Sequence, residues 1–343
     1  MRKPKIAILG SPSHIAKGLI NNFLQDGEFS LDLYTRSSDK VRSFLSHIGK
    51  SPGKNCVIHN GYRDFLEPSY DVLINCVGVG TFKKLRGDYA QYFTVTEEYD
   101  NLAIKYLQDR PDTLYISFSS GAVYGRELSA PADENAANCI HVNHITTNDY
   151  YAIARLNAET KHRAFGNLRI VDLRVFSYFS RFIDLEDGYF ITEVLDCILR
   201  NKVLMTDDVN MVRDYIHPQD LFSMILKCMD AGKINAAFDA ISAKPVEKME
   251  ILDYFSSIYG LKYEIGRTLS HFSATGAKNI YCSSYNSAAS IGYRPAFSSM
   301  DAIKEEAKYI VEPFLGQKKS NLVPKLSLGT RLLSQFGNQI LPP

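Results

Sequence analysis

Tryptophan is absent from this 343-residue sequence, no two cysteines form a CxxC pair, and neither acidic nor basic charge dominates. The missing Trp costs little at this size, because 21 Tyr and 19 Phe supply ample aromatic core. Lys and Arg total 39 against 38 for Asp and Glu, a formal net charge of +1, which removes the electrostatic case for nucleic acid or an acidic membrane as partner. No stretch approaches the roughly 18 apolar residues of a membrane span. The basic start Met1-Arg-Lys-Pro-Lys5 leads into Ile6-Ala-Ile-Leu9, an apolar run too short for a secretory leader. The six cysteines, at 56, 76, 139, 197, 228 and 282, are scattered, several within apolar stretches, so reduced core thiols in a cytoplasmic protein are expected. Internal repeats and low-complexity segments are lacking as well. With 45% apolar and 22% charged residues, disorder, collagen and coiled coil are excluded. The length suits about two domains, or one large domain with an extension.

What is present is an alternation of short apolar runs with helical patterns. Ile6–Leu9, Leu31–Tyr34, Cys56–His59, Asp71–Val77, Leu114–Phe118 and Leu168–Val175 read as six strands. Between them, helices are expected over Ile15–Leu24, Asp39–Ile48 and Tyr151–Phe165. Another is expected to open at the capping-box pattern Thr94-Val-Thr-Glu97 and run to about Gln108. Strands that alternate with helices and are apolar at nearly every position imply a doubly wound α/β fold, a parallel sheet covered on both faces. After about Phe179 the rhythm loosens, with helices at Ile191–Leu199, after Pro218, at Met249–Tyr259 before Gly260, and at Asp301–Val311, and a short strand at Val203–Met205. The expected organisation is a Rossmann-like dinucleotide domain over 1–178, a smaller α/β substrate lobe over 179–315, and a tail over 316–343. Lys318, Lys319, Lys325 and Arg331 make that tail a mobile or oligomer-contacting segment, with membrane-surface contact as the alternative; a homodimer is compatible with it.

The turn after the first strand, Gly10-Ser-Pro-Ser-His-Ile-Ala16, offers small residues where backbone must approach a pyrophosphate at a helix N-terminus. Gly10, Ser13, His14 and Ile15 are the candidate contacts, and a plain βα turn is the competing reading. The second strand runs into Arg36-Ser37, where an acidic residue would bind an adenosine ribose. An arginine and a serine there fit a 2′-phosphate and favour NADP over NAD; a solvent-facing arginine is the alternative. Asn75-Cys-Val-Gly-Val-Gly80 ends the fourth strand; its glycines permit close approach of a flat ligand, and Val77 and Gly78 are the candidate cofactor contacts.

The fifth strand runs into Phe118-Ser-Ser-Gly-Ala-Val-Tyr-Gly125. Downstream, Tyr151 and Arg155 stand four apart and share a helical face. A phenol of pKa about 10 becomes a useful acid or base near neutrality when a neighbouring cation stabilises its anion. A serine hydroxyl at the end of the strand would hold the reacting oxygen while hydride moves.

Here the chain resembles the extended short-chain dehydrogenase/reductases, specifically the NAD-dependent epimerases and dehydratases of nucleotide sugars. Ser119-Ser-Gly-Ala-Val-Tyr-Gly125 and Tyr151-Ala-Ile-Ala-Arg155 look like its serine motif and its Tyr-xxx-Lys helix. Leu173-Arg-Val-Phe176 and Arg213-Asp-Tyr-Ile-His217 are similar to later segments, as is Ala288-Ala-Ser-Ile-Gly-Tyr-Arg-Pro295. The resemblance implies catalysis by Ser120, Tyr151 and Arg155, with Tyr151 and Arg155 also touching the dinucleotide. It implies substrate contacts from Gly121, Ser177 and Arg213, the last on the sugar-nucleotide diphosphate. Three departures stand out: Arg155 replaces Lys, Ser177 replaces an Asn, and Gly121-Ala122 replace the Asp-Glu of the dehydratases, which disfavours elimination of water.

His217 is read as ordering its own loop. Cys139-Ile-His-Val-Asn-His144 is tempting as a metal site but lacks a fourth ligand, so no metal is expected; a polar lid over the sugar or a plain loop are its other readings. The implied function is an NAD(P)-dependent epimerase or 4-ketoreductase of a nucleoside-diphosphate sugar. The alternative is a non-catalytic family member that binds dinucleotide or sugar nucleotide as a sensor or assembly partner.

Overall fold

The computed structural model describes residues 2–80, 85–126, 128–266 and 279–321. Seven parallel strands form the central sheet: β1 (Lys5–Leu9), β2 (Ser30–Thr35), β3 (Cys56–Asn60), β4 (Val72–Asn75), β5 (Leu114–Ser120), β6 (Ile170–Val175) and β11 (Asn235–Ala240). Their order across the sheet is β11-β6-β5-β4-β1-β2-β3, so the winding reverses between β1 and β4. Successive residues of one strand serve opposite faces. Ile6 and Ile8 pack under α1 (His14–Asp26) and α2 (Ser38–His47), with α6 (Pro218–Asp230) in the same core. Ala7 and Leu9 pack against α3 (Gln91–Asp109) on the other side. Helix α4 (Thr147–Ala164) lies beside α3. That explains why these strands read as continuous apolar runs.

All six strands expected from the sequence are present, each within a few residues of its expected bounds. Two helix starts differ. Helix α3 begins at Gln91, so Thr94 lies inside it and its hydroxyl donates back to the Ala90 carbonyl at 3.2 Å instead of capping. Helix α4 begins four residues before Tyr151, at Thr147, under a cap made by Thr146 and Asp149; the Thr146 N–H donates to the Asp149 carboxylate at 2.8 Å.

The seventh strand comes from the later part of the chain. Asn235 opens β11 and its side-chain amide donates to the carbonyls of His162, Phe165 and Leu168 at 3.0, 2.9 and 3.3 Å. One residue thereby closes the C-terminal end of α4 and aligns the edge strand beside β6. A second core, around Phe179, Val194, Leu195, Ile251, Phe255 and Ile303, joins α5 (Phe190–Arg200), α7 (Lys248–Tyr259) and α8 (Ser299–Asn321). Short strand pairs complete this lobe: β7 (Ser177–Tyr178) with β10 (Tyr215–Ile216), β8 (Val203–Thr206) with β13 (Lys262–Ile265), and β9 (Val212–Arg213) with β12 (Val246–Glu247) and β14 (Ile280–Tyr281). The tail expected from Gly316 continues α8 as far as Asn321; its residues 322–343 lie outside those described. No helix among the described residues is long and apolar enough to cross a membrane. All six cysteines are free; Cys56, Cys228 and Cys282 are buried, whereas Cys139 is exposed and no core thiol.

Candidate active site

The reversal of winding leaves a crevice beyond the carboxyl ends of β1 and β4, the usual place for a ligand on an open α/β sheet. Here it deepens into a cleft of about 1530 Å³ between the sheet and the second lobe. Ser13, His14, Ile15, Val77, Gly78, Ser120, Tyr151, Arg155, Ser177 and Arg213 line it. Four candidates do not. Gly10 lies below the cleft, where a Cβ would come within 2.9 Å of the Cys76–Val77 backbone; its φ of +71° also demands glycine. Gly121 is buried under Phe176, whose ring would be 2.4 Å from a Cβ, so its role in the described structure is close packing. Arg36 and Ser37 stand at the end of β2, outside the lining, with Arg36 exposed near the hydroxyls of Tyr62 and Tyr99.

Helix α1 points its N-terminus into this cleft, and the positive end of its dipole suits an anion. No acidic side chain in that turn competes. Ser13 is the N-cap residue, yet its hydroxyl makes no cap bond and is buried beside the Cys76 thiol. Burial pushes that thiol well up, so Cys76 is no nucleophile. His14 turns across the cleft, its Nε2 2.8 Å from Ser180 Oγ and its ring 4.8 Å from that of Tyr178.

Arg155 crosses the floor. Its Nη1 donates to the Phe118 carbonyl at 3.1 Å, and its guanidinium lies 5.3 Å from the ring centre of Tyr151. The other Nη reaches over Gly78, where a Cβ would sit 2.7 Å away, so the glycine makes room for the guanidinium. Nε is buried without a hydrogen bond. Arg155 therefore touches two strand ends and the Tyr151 ring together.

At the far end Arg213 donates to the Val212 carbonyl at 2.9 Å and has no carboxylate partner among the described residues. Its desolvation works against the cation and lowers its pKa from the ordinary value. An anion in the cleft would restore the balance. Nearby, the buried Lys248 ammonium is already bound to Asp207 at 2.7 Å.

Three contributors were not singled out from the sequence. Tyr281 holds its hydroxyl 2.8 Å from Ser120 Oγ, and Tyr189 donates to the Gly80 carbonyl at 3.0 Å across the cleft mouth. His162, two turns beyond Arg155 on α4, is enclosed by Asp100 and Asp172 at 2.7 and 2.8 Å. A lone aromatic in a two-residue strand carries no periodic signal, and a histidine between carboxylates is visible only in space.

The remaining motifs are structural in placement. His217 caps α6, accepting the Gln219 N–H at 3.1 Å. Cys139, His141 and His144 belong to an exposed loop, and no group of three or more His, Cys, Asp or Glu converges as a metal cage among the described residues.

A family model for the NAD dependent epimerase/dehydratase family matches residues 10–240. Among curated proteins, a UDP-glucose 4-epimerase of Lacticaseibacillus casei is 23% identical over 331 residues, covering 88% of this chain and 95% of its own. Among solved structures, a UDP-N-acetylglucosamine 4-epimerase from Methanobrevibacter ruminantium superposes with a TM-score of 0.74 at 15% identity, over 91% of this chain and all of that one. A UDP-glucuronic acid 4-epimerase from Bacillus cereus, solved with its sugar nucleotide and NAD, gives 0.71 at 15% identity, over 90% of this chain and 99% of that one. Those two structures share the fold. The sequence match spans both the α1 turn and the Tyr151 helix, and on that ground the chain belongs to the NAD dependent epimerase/dehydratase family.

Proposed function

We propose that this protein is an NAD(P)-dependent epimerase or 4-ketoreductase acting on a nucleoside-diphosphate sugar, with Tyr151 as its acid/base. The observation that carries the reading is the lining of one cleft by Ser120, Tyr151 and Arg155, with the α1 N-terminus on one side and, on the other, Arg213 without a carboxylate partner among the described residues. The residues present fit a dinucleotide. Ser13 Oγ is buried at the α1 N-terminus without a cap bond, Arg155 Nε is buried without a hydrogen bond among the described residues, and Gly78 makes room for the Arg155 guanidinium at the β4 end. A nicotinamide held there supplies the acceptor and donor of hydride at a sugar carbon. Tyr151 takes up and returns the proton of the sugar hydroxyl, while Ser120 holds the oxygen in place. Arg155 supplies positive charge beside the Tyr151 ring, a face-on contact where a lysine would offer a point charge. Arg213 receives the diphosphate, a task suited to a guanidinium fork. The Lacticaseibacillus casei relative supports a uridine nucleotide. Exposed Arg36, with no acid at the end of β2, supports a preference for the 2′-phosphate of NADP.

The test is direct. Purified protein is incubated with UDP-glucose and NAD, and separately with a UDP-4-keto sugar and NADPH, with products followed by NMR. Turnover in the first marks an epimerase, in the second a reductase. Tyr151→Phe should lower the rate by about 10²–10⁴ while leaving dinucleotide binding nearly intact. Full activity in that variant, or turnover in neither assay, removes the reading.

A further inference from the structure

Tyr281 lies on β14 directly beside Arg213 of β9, its register partner. It is 2% exposed, its ring 5.2 Å from that of Phe176, and it still reaches the cleft wall. Its hydroxyl meets Ser120 Oγ at 2.8 Å, and the same Oγ accepts the Ala122 N–H at 3.2 Å.

A serine hydroxyl has one hydrogen and two lone pairs. Between a phenol and an alcohol, the phenol is the stronger acid and its oxygen the poorer acceptor, because a lone pair is drawn into the ring. Tyr281 is therefore the donor of this pair. With Tyr281 on one lone pair and the Ala122 N–H, shared with the Tyr281 oxygen, on the other, Ser120 has one direction left for its own hydrogen, and Ser120 lines the cleft. Burial, joined by the neighbouring Tyr151 phenol, drives the Tyr281 pKa far above its ordinary value, although the Ser120 bond works against this. Tyr281 thus keeps its proton at any working pH, which suits a permanent donor and unfits it as a base.

We propose that Tyr281 is a positioning residue that fixes Ser120 as a hydrogen-bond donor toward the reacting oxygen. Because Tyr281 of β14 pairs with Arg213 of β9, one strand pair would both meet the diphosphate and set the hydroxyl that meets the sugar. The inference rests on the reaction proposed above for Ser120 and Tyr151.

Tyr281→Phe retains the ring and removes only the donor. With the active sugar nucleotide, it should lower kcat by about tenfold to a hundredfold and leave KM within about twofold. In a Ser120→Ala background, the same change should alter kcat by less than about twofold, since it acts only through the serine. Additive losses, or a loss confined to KM, overturn the proposal. A second measurement needs no turnover: with tyrosines labelled at Cζ, Ser120→Ala should move the Tyr281 carbon resonance, and an unmoved resonance overturns the pairing. A wild type silent on every sugar nucleotide defeats the reaction assignment alone, and the resonance then decides the pairing.

Discussion

Replacing His162 with Gln tests how α4, the helix of Tyr151 and Arg155, is held. The imidazole is fully buried, with Nδ1 2.8 Å from Asp172 and Nε2 2.7 Å from Asp100. Burial opposes its charge, but the two carboxylates outweigh burial and raise its pKa from 6.5 to about 9. Asp100 answers in kind: burial would raise it, yet bonds to His162 and Lys161 hold it below the usual carboxylate range. The imidazolium thus clamps α3 and β6 to α4, the helix that carries Tyr151 and Arg155. A histidine pKa raised on folding stabilises fully below about 6.5, and that stability is lost as pH climbs through about 9. Raising that pKa from 6.5 to about 9 corresponds to about 3 kcal/mol. Removing the cation leaves the two buried carboxylates with Lys161 and Arg163 as their remaining cationic partners among the described residues, so the break costs at most about 3–5 kcal/mol. His162→Gln should therefore show the full deficit at pH 6.5 in urea unfolding, and at pH 10 the gap to wild type should narrow by about 3 kcal/mol. A gap equal at both pH values would falsify the charged clamp and leave His162 a neutral packing residue.

Two further outcomes concern the dinucleotide. Arg36→Ala should weaken NADP binding about tenfold to a hundredfold and NAD binding far less, read by fluorescence titration of the reduced cofactors; equal losses would dismiss the 2′-phosphate contact. Gly78→Ala should displace the Arg155 guanidinium, since the new Cβ would lie 2.7 Å from its Nη2. Dinucleotide affinity should then fall with thermal stability little changed, because the end of a flexible side chain can give way; unaltered affinity would show that the guanidinium need not lie over β4.

The fold was legible in the sequence because a doubly buried parallel strand must be apolar at consecutive positions, as Ile6–Leu9 and Leu114–Phe118 are. The Tyr151 and Arg155 spacing was legible for a similar reason: helical periodicity alone places both on one face. Where local signals compete, the sequence misled. Thr94-Val-Thr-Glu97 has the pattern of a cap but lies inside α3, because Tyr92 just before it is buried, with Phe93 packed against the same cluster, and draws the helix start forward. Asn235-Ala-Ala-Phe-Asp-Ala240 has too little β character to announce a strand, and it becomes one because Asn235 satisfies three carbonyls beyond the end of α4. Long-range pairings were decided by tertiary structure alone. Tyr281 meets Ser120 across 161 positions, and His162 meets Asp100 across 62. A sequence records which groups can donate, accept or ionise, whereas hydrogen bonds and burial depend on distances of a few ångströms, and only the packed sheet and lobe set those.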